Sequence, residues 1–283
     1  MPFLSIITVN RNNKKGLLKT ILSVANQIFD DFEYIIIDGA STDGSTEIIK
    51  QYEAITSLWI SEPDTGIYAA MNKGIAASTG EYLLFLNSGD WLIDNNVLID
   101  IYNSNCTADI ISGNIIIIDS YGNQSFHNAP NKDQLSFNTF YNSSLPHPAT
   151  FIKRTLFHKH GFYNESYKIV ADKEFFIRTL IMSDCSYEYF NRTITYFPLG
   201  GISSNSEFQE LQKKESELVN SKITFPLVYK AYQSIQDENI QYKELFDKYR
   251  DYINLLNGKL AFIIKFILSA KLLIKKMKNP CSK

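Results

Sequence analysis

Short apolar runs alternate with helical patterns along the first 120 residues. Such runs are typical of strands that are buried on both faces of a sheet. Between them lie segments in which apolar residues recur three or four positions apart, as on one face of a helix. The runs lie at Phe3–Val9, Glu33–Asp38, Leu58–Ser61 and Glu81–Leu86, and the helical segments at 14–28, 45–53 and 66–78. This repetition predicts an α/β fold with a mostly parallel sheet and helices on both faces.

The same kind of pattern continues to about residue 205. Further strands are predicted over 109–119, 147–153 and 186–197 and a helix over 170–182, whereas the polar stretch 120–145 predicts a long loop. Residues 206–254 are charge-rich with helical spacing, and the apolar positions from Tyr242 to Leu256 leave open both packing on the core and self-association. We therefore expect an α/β domain over 1–205, a helical extension over 206–254 and a tail over 255–283.

The tail differs in charge from the rest of the chain. It holds seven of the 28 Lys and Arg residues and none of the 30 Asp and Glu residues, so the first 254 residues carry a net charge of −9. An acidic body argues against a nucleic acid partner. A basic apolar tail predicts contact with an anionic membrane surface. Its lysines interrupt the about 20 apolar residues that a spanning helix needs, so we expect a helix lying in the membrane interface. A terminal helix docked on the protein is the alternative.

The cysteines and the N-terminus indicate a compartment. Cys106, Cys185 and Cys281 are far apart and form no CxxC pair, which argues against a disulfide framework or a zinc site and favours a reducing compartment. The apolar start of the chain lacks the basic residues and cleavage site of a signal peptide and is predicted to be a strand. We expect a cytoplasmic protein that lies peripherally on the inner face of the cell membrane.

Acidic side chains follow three of the predicted strands. Asp38 ends one strand, Glu62 and Asp64 follow the next, and Asp90 closes the polar turn that begins at Asn87. Each alone is explained by turn formation or helix capping. Because ligands bind at the carboxyl ends of parallel strands, three such segments at one edge predict a ligand cleft.

Five segments carry a family resemblance. They are SIITVNRN (5–12), YIIIDGASTDGS (34–45), SEPDTGIYAAMNKGI (61–75), GEYLLFLNSGD (80–90) and VADKEFFIR (170–178). In this order the chain, over about residues 3–205, resembles family 2 glycosyltransferases of the GT-A fold, in particular the bacterial subgroup that builds O-antigen, capsule or exopolysaccharide. The resemblance implies inverting transfer of a sugar from a nucleotide-sugar donor, with UDP favoured, to a glycan or polyprenyl-diphosphate-linked acceptor.

The resemblance also implies a metal ligand and a general base. The family holds Mn²⁺ or Mg²⁺ with an acidic turn after the fourth strand, where this chain has Asn87-Ser-Gly-Asp90 and only Asp90 is a carboxylate. Asp172 matches the family's general base near the start of a later helix. Glu174 lies two residues further on and is expected to face elsewhere. The alternative for Asp172 is a helix N-cap.

Further site residues follow from the same resemblance. His147, Gly200 and Gly201 match positions near the acceptor or in a segment that closes over the donor, and a structural His147 is the alternative. For Lys73 the alternative is a solvent-facing helix residue. The implied nucleotide-sugar contacts are Thr8, Asn10, Arg11, Asp38, Asp64, Asn72, Lys73 and Asn87.

Two other functions remain open at the level of sequence. A sugar-phosphate nucleotidyltransferase shares the sheet architecture, but its Gly-rich start after the first strand is replaced here by Thr8-Val-Asn-Arg. A degenerate glycosyltransferase-like binding or scaffold protein is supported by the reduced metal motif and opposed by the retained Asp172.

Overall fold

A computed structural model describes residues 1–183, 185–200, 208–223, 233–245 and 247. Residues Met1–Ile223 form one compact unit and Thr224–Lys283 a second. In the second unit, residues 233–245 form a helix. The tail predicted over 255–283 and the apolar positions beyond 247 lie outside the described residues. Among the helices that are described, none combines the length and the apolar character that crossing a membrane requires.

Strands and helices alternate along the described part of the first unit. The strands are β1 (Leu4–Asn10), β2 (Phe32–Asp38), β3 (Leu58–Ser61), β4 (Tyr82–Phe85), β5 (Trp91–Leu92), β6 (Ile110–Ile118), β7 (Gln124–His127), β8 (Thr150–Lys153) and β9 (Tyr187–Pro198). The helices are α1 (Lys14–Ala25), α2 (Ser45–Gln51), α3 (Ile67–Ala77), α4 (Val97–Asn103), α5 (Phe137–Asn142), α6 (Arg154–His160), α7 (Ala171–Phe176) and α8 (Gln209–Ile223). A π-helical turn at Ile177–Ile181 extends α7.

The strands form one sheet in the order β3-β2-β1-β4-β8-β6-β9-β5, with β7 beside β6. Strands β1 to β4, β6 and β9 run in one direction, and β5, β7 and β8 run in the other. This arrangement confirms the mostly parallel α/β fold predicted from the sequence. The chain moves outward from β1 through β2 to β3 and then returns to place β4 on the other side of β1. The reversal makes the carboxyl ends of β1 and β4 the expected ligand crevice.

The two faces of the sheet carry separate apolar cores. On β1, Ile7 packs with residues of α3, α6 and α7 on one face, and Ile6 packs with residues of α1, α2 and α4 on the other. Both isoleucines are fully buried. Burial on both faces explains why the parallel strands are continuous apolar runs in the sequence.

Two segments differ from the sequence prediction. The strand predicted over 147–153 begins only at Thr150, because His147–Ala149 forms a 3₁₀ turn around Pro148, which has no N–H to donate to a ladder. The predicted loop over 120–145 contains β7, a 3₁₀ turn at Lys132–Gln134 and α5. Phe140 is fully buried and anchors this excursion to the core. The few buried apolar residues of this polar stretch do not recur at a regular spacing, so the sequence pattern does not predict these elements.

Helix α8 packs into the first unit. Val219 is fully buried in the core that contains α7. The carboxylate of Glu215 is also buried and accepts hydrogen bonds from the backbone N–H groups of Lys168 (2.8 Å) and Ile169 (3.0 Å). These N–H groups belong to the loop that leads into α7. The helix therefore fixes the backbone directly ahead of Asp172.

We predict that Glu215→Ala lowers the free energy of unfolding by roughly 1–3 kcal/mol, because two N–H groups lose their acceptor. Glu215→Gln retains one acceptor oxygen and is expected to cost less. Urea unfolding of each variant measures the difference. Glu210→Gln is the control, since this residue of the same helix is exposed and pairs with Lys214 four residues on. Equal stability of all three variants would contradict the role assigned to Glu215.

Candidate active site

Three strand ends lie side by side at one edge of the sheet. Asn10 of β1 is in register with Asp38 of β2, and Asp38 is in register with Ser61 of β3. The side chains touch: Asn10 Nδ2 donates to Asp38 Oδ1 at 2.7 Å, and Ser61 Oγ donates to Asp38 Oδ2 at 2.7 Å. Parallel pairing thus brings together residues that are about 25 positions apart in sequence.

Asp38 is a fully buried carboxylate surrounded by donors. Besides Asn10 and Ser61, both the N–H and the hydroxyl of Ser41 donate to it. Burial alone would raise the pKa of Asp38, but these hydrogen bonds outweigh it and hold the pKa below its ordinary value. The carboxylate stays ionised, and its about four lone-pair sites are all used.

Thr8 and Arg11 flank this edge in different ways. Thr8 is fully buried, where its hydroxyl donates to the Leu86 carbonyl at 2.7 Å and contacts the hydroxyl of Tyr34. Its role in the structure is therefore to join β1 to the chain beyond β4. Arg11 is exposed just past β1, and its side chain runs beside Gly39. The Arg11 guanidinium is the more accessible of the two groups.

The turn from Asn87 to Asp90 lies beside the end of β1. Beyond β4 the chain keeps pairing with β1, since Leu86 N–H donates to Ile7 and Ser88 N–H donates to Val9. Helix α1 holds the turn from the other side: Asn13 Nδ2 donates to the Ser88 carbonyl at 2.8 Å, and Thr20 Oγ1 donates to the Asp90 carbonyl at 2.7 Å. The turn is thus fixed at the crevice between β1 and β4.

The side chains of Asn87 and Asp90 present buried oxygen atoms at this turn. Asp90 is 6% exposed, and its carboxylate accepts a hydrogen bond from the backbone of Asn87. Burial raises the pKa of Asp90 to about 8, because it outweighs the opposing effect of this hydrogen bond. Asn87 Oδ1 is buried and has no partner among the described residues. Carboxylate and amide oxygens are ligands of hard divalent cations, so these two side chains fit such an ion.

The protein supplies few charged ligands for that ion. In the described ranges, no group of three or more His, Cys, Asp or Glu side chains is arranged to hold a metal. A cation at Asp90 would therefore take most of its ligands from water and from phosphate oxygens, as Mg²⁺ commonly does. A bound cation would also keep Asp90 ionised despite its burial.

Lys73 forms an ion-pair cluster beyond β3. Its ammonium group pairs with Asp64 and, at 2.7 Å, with Glu62. Asp64 and then Glu62 raise the pKa of Lys73, so the side chain remains charged. About a third of the Lys73 side chain is exposed, whereas only 6% of Asp64 is. Lys73 is consequently neither a free solvent-facing residue nor fully enclosed.

Another face of α3 holds the loop that leads to α7. Asn72 Nδ2 donates to the Tyr163 carbonyl at 2.9 Å and to Glu165 Oε1 at 2.8 Å, and Asn72 Oδ1 accepts from the Tyr163 N–H at 3.1 Å. One turn earlier, Tyr68 donates to the Ile169 carbonyl at 2.6 Å. Residues four apart share a helix face, so the two side chains form one polar clamp. Both sides of the Asn72 amide are engaged in it.

Asp172 lies at the second position of α7 and is partly exposed. Its Oδ1 lies 2.9 Å from the Tyr68 hydroxyl, which can donate to it. Val170 occupies the N-cap position, so Asp172 does not cap the helix. Glu174 points elsewhere, as expected, and pairs with Arg178 at 3.0 Å. Asp172 is therefore an accessible carboxylate held from one side.

His147 lies in the 3₁₀ turn before β8, at the same edge of the sheet. Its ring stacks on Phe85, the last residue of β4, at 5.0 Å between centroids, and its Nε2 lies 2.9 Å from the Tyr163 hydroxyl. Burial lowers the pKa of His147, and nearby Asp172 opposes the shift. The imidazole is therefore neutral at pH 7.

The glycine pair after β9 is only partly described. Gly200 has a φ of +125°, a conformation that favours glycine. It follows Leu199, whose N–H donates to Ile118, so Gly200 lies at the carboxyl end of β6 and β9. Gly201 lies outside the described residues.

Two tyrosines of the site were not predicted from the sequence. Tyr68 and Tyr163 join Asp172, His147 and Asn72 into one network, with 5.6 Å between the two ring centroids. A signal for Tyr68 was available: a tyrosine in an apolar helix needs a partner for its hydroxyl. The sequence around Tyr163 gives no such signal, because the residues that Tyr163 contacts in this network come from other segments of the chain.

The architecture and the strand-end crevice define a GT-A glycosyltransferase fold. Sequence comparison then identifies the family. Residues 5–163 match the glycosyl transferase family 2 domain, so the chain belongs to glycosyl transferase family 2. Family membership confirms the resemblance to family 2 glycosyltransferases, and the matched range contains four of the five sequence segments.

Relatives span most of the chain. A PGL/p-HBAD biosynthesis glycosyltransferase of Mycobacterium bovis is 29% identical over 220 residues, which cover 75% of this chain and 84% of the relative. An uncharacterized glycosyltransferase of Mycobacterium tuberculosis is 30% identical over 215 residues, which cover 73% and 79%.

Solved structures share the fold at low sequence identity. Residues 1–349 of Staphylococcus aureus TarS, in complex with UDP-GlcNAc, superpose with a TM-score of 0.61 at 18% identity, covering 77% of this chain and 66% of that one. The mannosyltransferase PcManGT of Pyrobaculum calidifontis, in complex with GDP-Man and Mn²⁺, gives a TM-score of 0.55 at 12% identity, covering 96% and 81%.

We predict that His147 makes stability depend on pH below its ordinary pKa of 6.5. Its pKa is lower in the folded state, so the unfolded chain binds the proton first and stability falls as pH drops below 6.5. His147→Gln removes this dependence. Urea unfolding between pH 7.5 and 5.5 should show a smaller loss for the variant. Parallel losses in both proteins would contradict a buried, neutral imidazole.

Proposed function

We propose that this protein is an inverting glycosyltransferase that moves a sugar from a nucleotide-sugar donor, with UDP favoured, to a lipid-linked or growing oligosaccharide. The observation that carries the proposal is the partly exposed carboxylate of Asp172. The α3 clamp holds it at the edge formed by the carboxyl ends of the parallel strands, to which we assign the nucleotide-sugar donor. A general base in reach of an acceptor hydroxyl is what a single displacement requires.

The proposed reaction uses Asp172 as that base. The acceptor oxygen attacks the anomeric carbon of the donor, and its proton passes to the Asp172 carboxylate. The bond between the anomeric carbon and the diphosphate breaks, and the nucleoside diphosphate leaves with the electron pair. Configuration inverts because the acceptor enters opposite the leaving group. We assign the neutral His147 at this edge to contact with the acceptor.

Asp90 and Asn87 would hold the divalent cation, Mn²⁺ or Mg²⁺. When bound, the ion neutralises charge on the leaving diphosphate. The proposal is supported by the unpartnered Asn87 Oδ1 and the buried Asp90 carboxylate and by the Mn²⁺ in the structural neighbour PcManGT. Arg11 and Lys73 are the cations of this edge that we assign to the phosphates.

The nucleotide base is assigned to the strand ends at Asn10 and Asp38. A free carboxylate there would accept the imide N–H of uracil, but Ser41 and Ser61 already occupy Asp38. Binding of uracil through Asp38 therefore requires the side chain of Asn10, Ser41 or Ser61 to turn away from it. TarS with UDP-GlcNAc supports UDP, and PcManGT with GDP-Man makes GDP the competitor to test.

The acceptor is proposed to lie at the membrane surface, in assembly of a bacterial surface polysaccharide such as O-antigen or capsule. The seven lysines and the absence of acids in residues 255–283 support peripheral attachment to the inner face of the cell membrane. A polyprenyl-diphosphate-linked glycan would be presented there. The GT-A unit would then work in the cytoplasm.

Asp172→Asn tests the base. The amide oxygen still accepts from Tyr68, so the fold is expected to persist, whereas an amide cannot take the proton. We expect turnover to fall on the order of 10²–10⁴-fold, with unchanged affinity for the donor. Turnover is measured as nucleoside diphosphate release and affinity by calorimetry. Glu174→Gln is the control that should stay active, and equal loss in both variants would remove the assignment.

Asp90→Asn tests the metal site. Calorimetric titration with UDP, GDP, dTDP and their sugars, with and without Mn²⁺, should show metal-enhanced binding of one nucleotide to the wild-type protein. The variant should lose the enhancement and keep the metal-independent part, because only the ion's carboxylate ligand is changed. Metal enhancement that survives Asp90→Asn would place the ion elsewhere. A folded wild-type protein that binds none of these ligands would favour a binding or scaffold protein.

A further inference from the structure

Tyr68 presents one hydrogen to two acceptors. Its hydroxyl oxygen lies 2.6 Å from the Ile169 carbonyl and 2.9 Å from Asp172 Oδ1. A tyrosine hydroxyl carries a single hydrogen, so it cannot make two full hydrogen bonds as donor. Neither a backbone carbonyl nor an ionised carboxylate can donate in return. The geometry therefore describes a choice between two acceptors.

The Tyr68 hydroxyl stays protonated at any working pH. The residue is 5% exposed, and burial, followed by the charge of Asp172, raises its pKa well above the ordinary value. Tyr68 is therefore not an acid or base in the reaction. It is a fixed donor whose hydrogen can turn about the C–O bond.

The two acceptors are themselves held in place. Glu215 accepts from the N–H of Ile169, and Asn72 fixes the start of the same loop at Tyr163. The distances around the Tyr68 hydroxyl are thus set by contacts outside it. The charge of Asp172 is what differs between the two stages of the reaction.

We propose that Tyr68 is a positioning residue whose hydrogen binds Asp172 Oδ1 while the carboxylate is ionised and turns to the Ile169 carbonyl once Asp172 is protonated. This inference rests on the proposed role of Asp172 as the base. An ionised carboxylate is the stronger acceptor, and a neutral carboxylic acid is weaker than a backbone carbonyl held at 2.6 Å.

The proton balance of this cycle is closed. Before transfer, Tyr68 occupies Oδ1, and Oδ2, which takes no hydrogen bond from the described residues, is left for the acceptor hydroxyl. During transfer the acceptor proton moves to Oδ2 as the new glycosidic bond forms. Tyr68 keeps its own proton throughout and only changes its direction. Release of the Asp172 proton to water then restores the first state.

Tyr68→Phe is the test. The assay is hydrolysis of the nucleotide sugar by the purified full chain, in which water replaces the acceptor and the released nucleoside diphosphate is measured. The donor is the nucleotide sugar that the wild-type protein binds in the calorimetric titration. We expect kcat to fall on the order of 10-fold or more, with the donor KM unchanged. We also expect the acid limb of the kcat profile to move to higher pH, because the ionised carboxylate loses a hydrogen-bond donor.

Tyr82→Phe is the matched control. Tyr82 is also a buried tyrosine, and its hydroxyl donates to the Ala108 carbonyl at 2.9 Å on the other face of the sheet. This variant should lose a comparable hydrogen bond while keeping kcat and the pH profile. Equal kcat and an unmoved acid limb in Tyr68→Phe would overturn the proposal. If the wild-type protein itself releases no nucleotide, the proposed function fails instead.

A second measurement tests the contact without activity. Thermal unfolding is compared for Tyr68→Phe, Asp172→Ala and the double variant at neutral pH. If Tyr68 donates to the ionised carboxylate, the double variant should lose less Tm than the sum of the single losses. Additive losses would overturn the hydrogen bond and with it the proposal. Tyr82→Phe combined with Asp172→Ala should be additive.

Discussion

The polar clamp of α3 is the contact on which the rest of the site depends. Tyr68 and Asn72 reach across to a loop about 100 residues later in the sequence and fix its backbone at Tyr163 and Ile169. The same helix begins just after the segment that carries Asp64 and pairs with it through Lys73. One helix of eleven residues therefore links the proposed base, Asp172, to the carboxyl ends of the parallel strands. The clamp thus complements Glu215 of α8, which holds the same loop from another helix.

The site contains two buried carboxylates with opposite surroundings. Asp38 has every lone pair used by a donor, and its pKa is lowered. For Asp90, only a backbone hydrogen bond from Asn87 opposes the effect of burial, so burial raises its pKa. The hydrogen bonds of Asp38 all come from the protein, and they join the ends of the strands. The environment of Asp90 is unfinished, which is what a carboxylate needs if a cation from solution is to complete it.

The sequence predicts what is local, and it misses what arises between distant segments. The buried strands of the parallel half were visible as apolar runs, and Asp38 and Asp90 were visible at their ends. The late start of β8 is due to Pro148, which has no N–H to donate to a strand ladder. This effect is local, but the apolar residues after Pro148 made the whole segment resemble a strand. The roles of Tyr68 and Tyr163 depend on partners from other elements, and no pattern within either segment specifies those partners. The role of general base is assigned to Asp172 by family resemblance, because the local sequence around Asp172 is equally typical of a helix N-cap.

The burial of Glu215 has a consequence for how this enzyme class can be recombined. A chimera that joins the sheet of this chain to the C-terminal part of a relative at residue 205 would replace α8, and with it the carboxylate that holds the backbone ahead of Asp172. The exchange would change the surroundings of the loop ahead of Asp172 without altering any residue of that loop. Modules taken from this chain should therefore extend through Ile223, where the first compact unit ends.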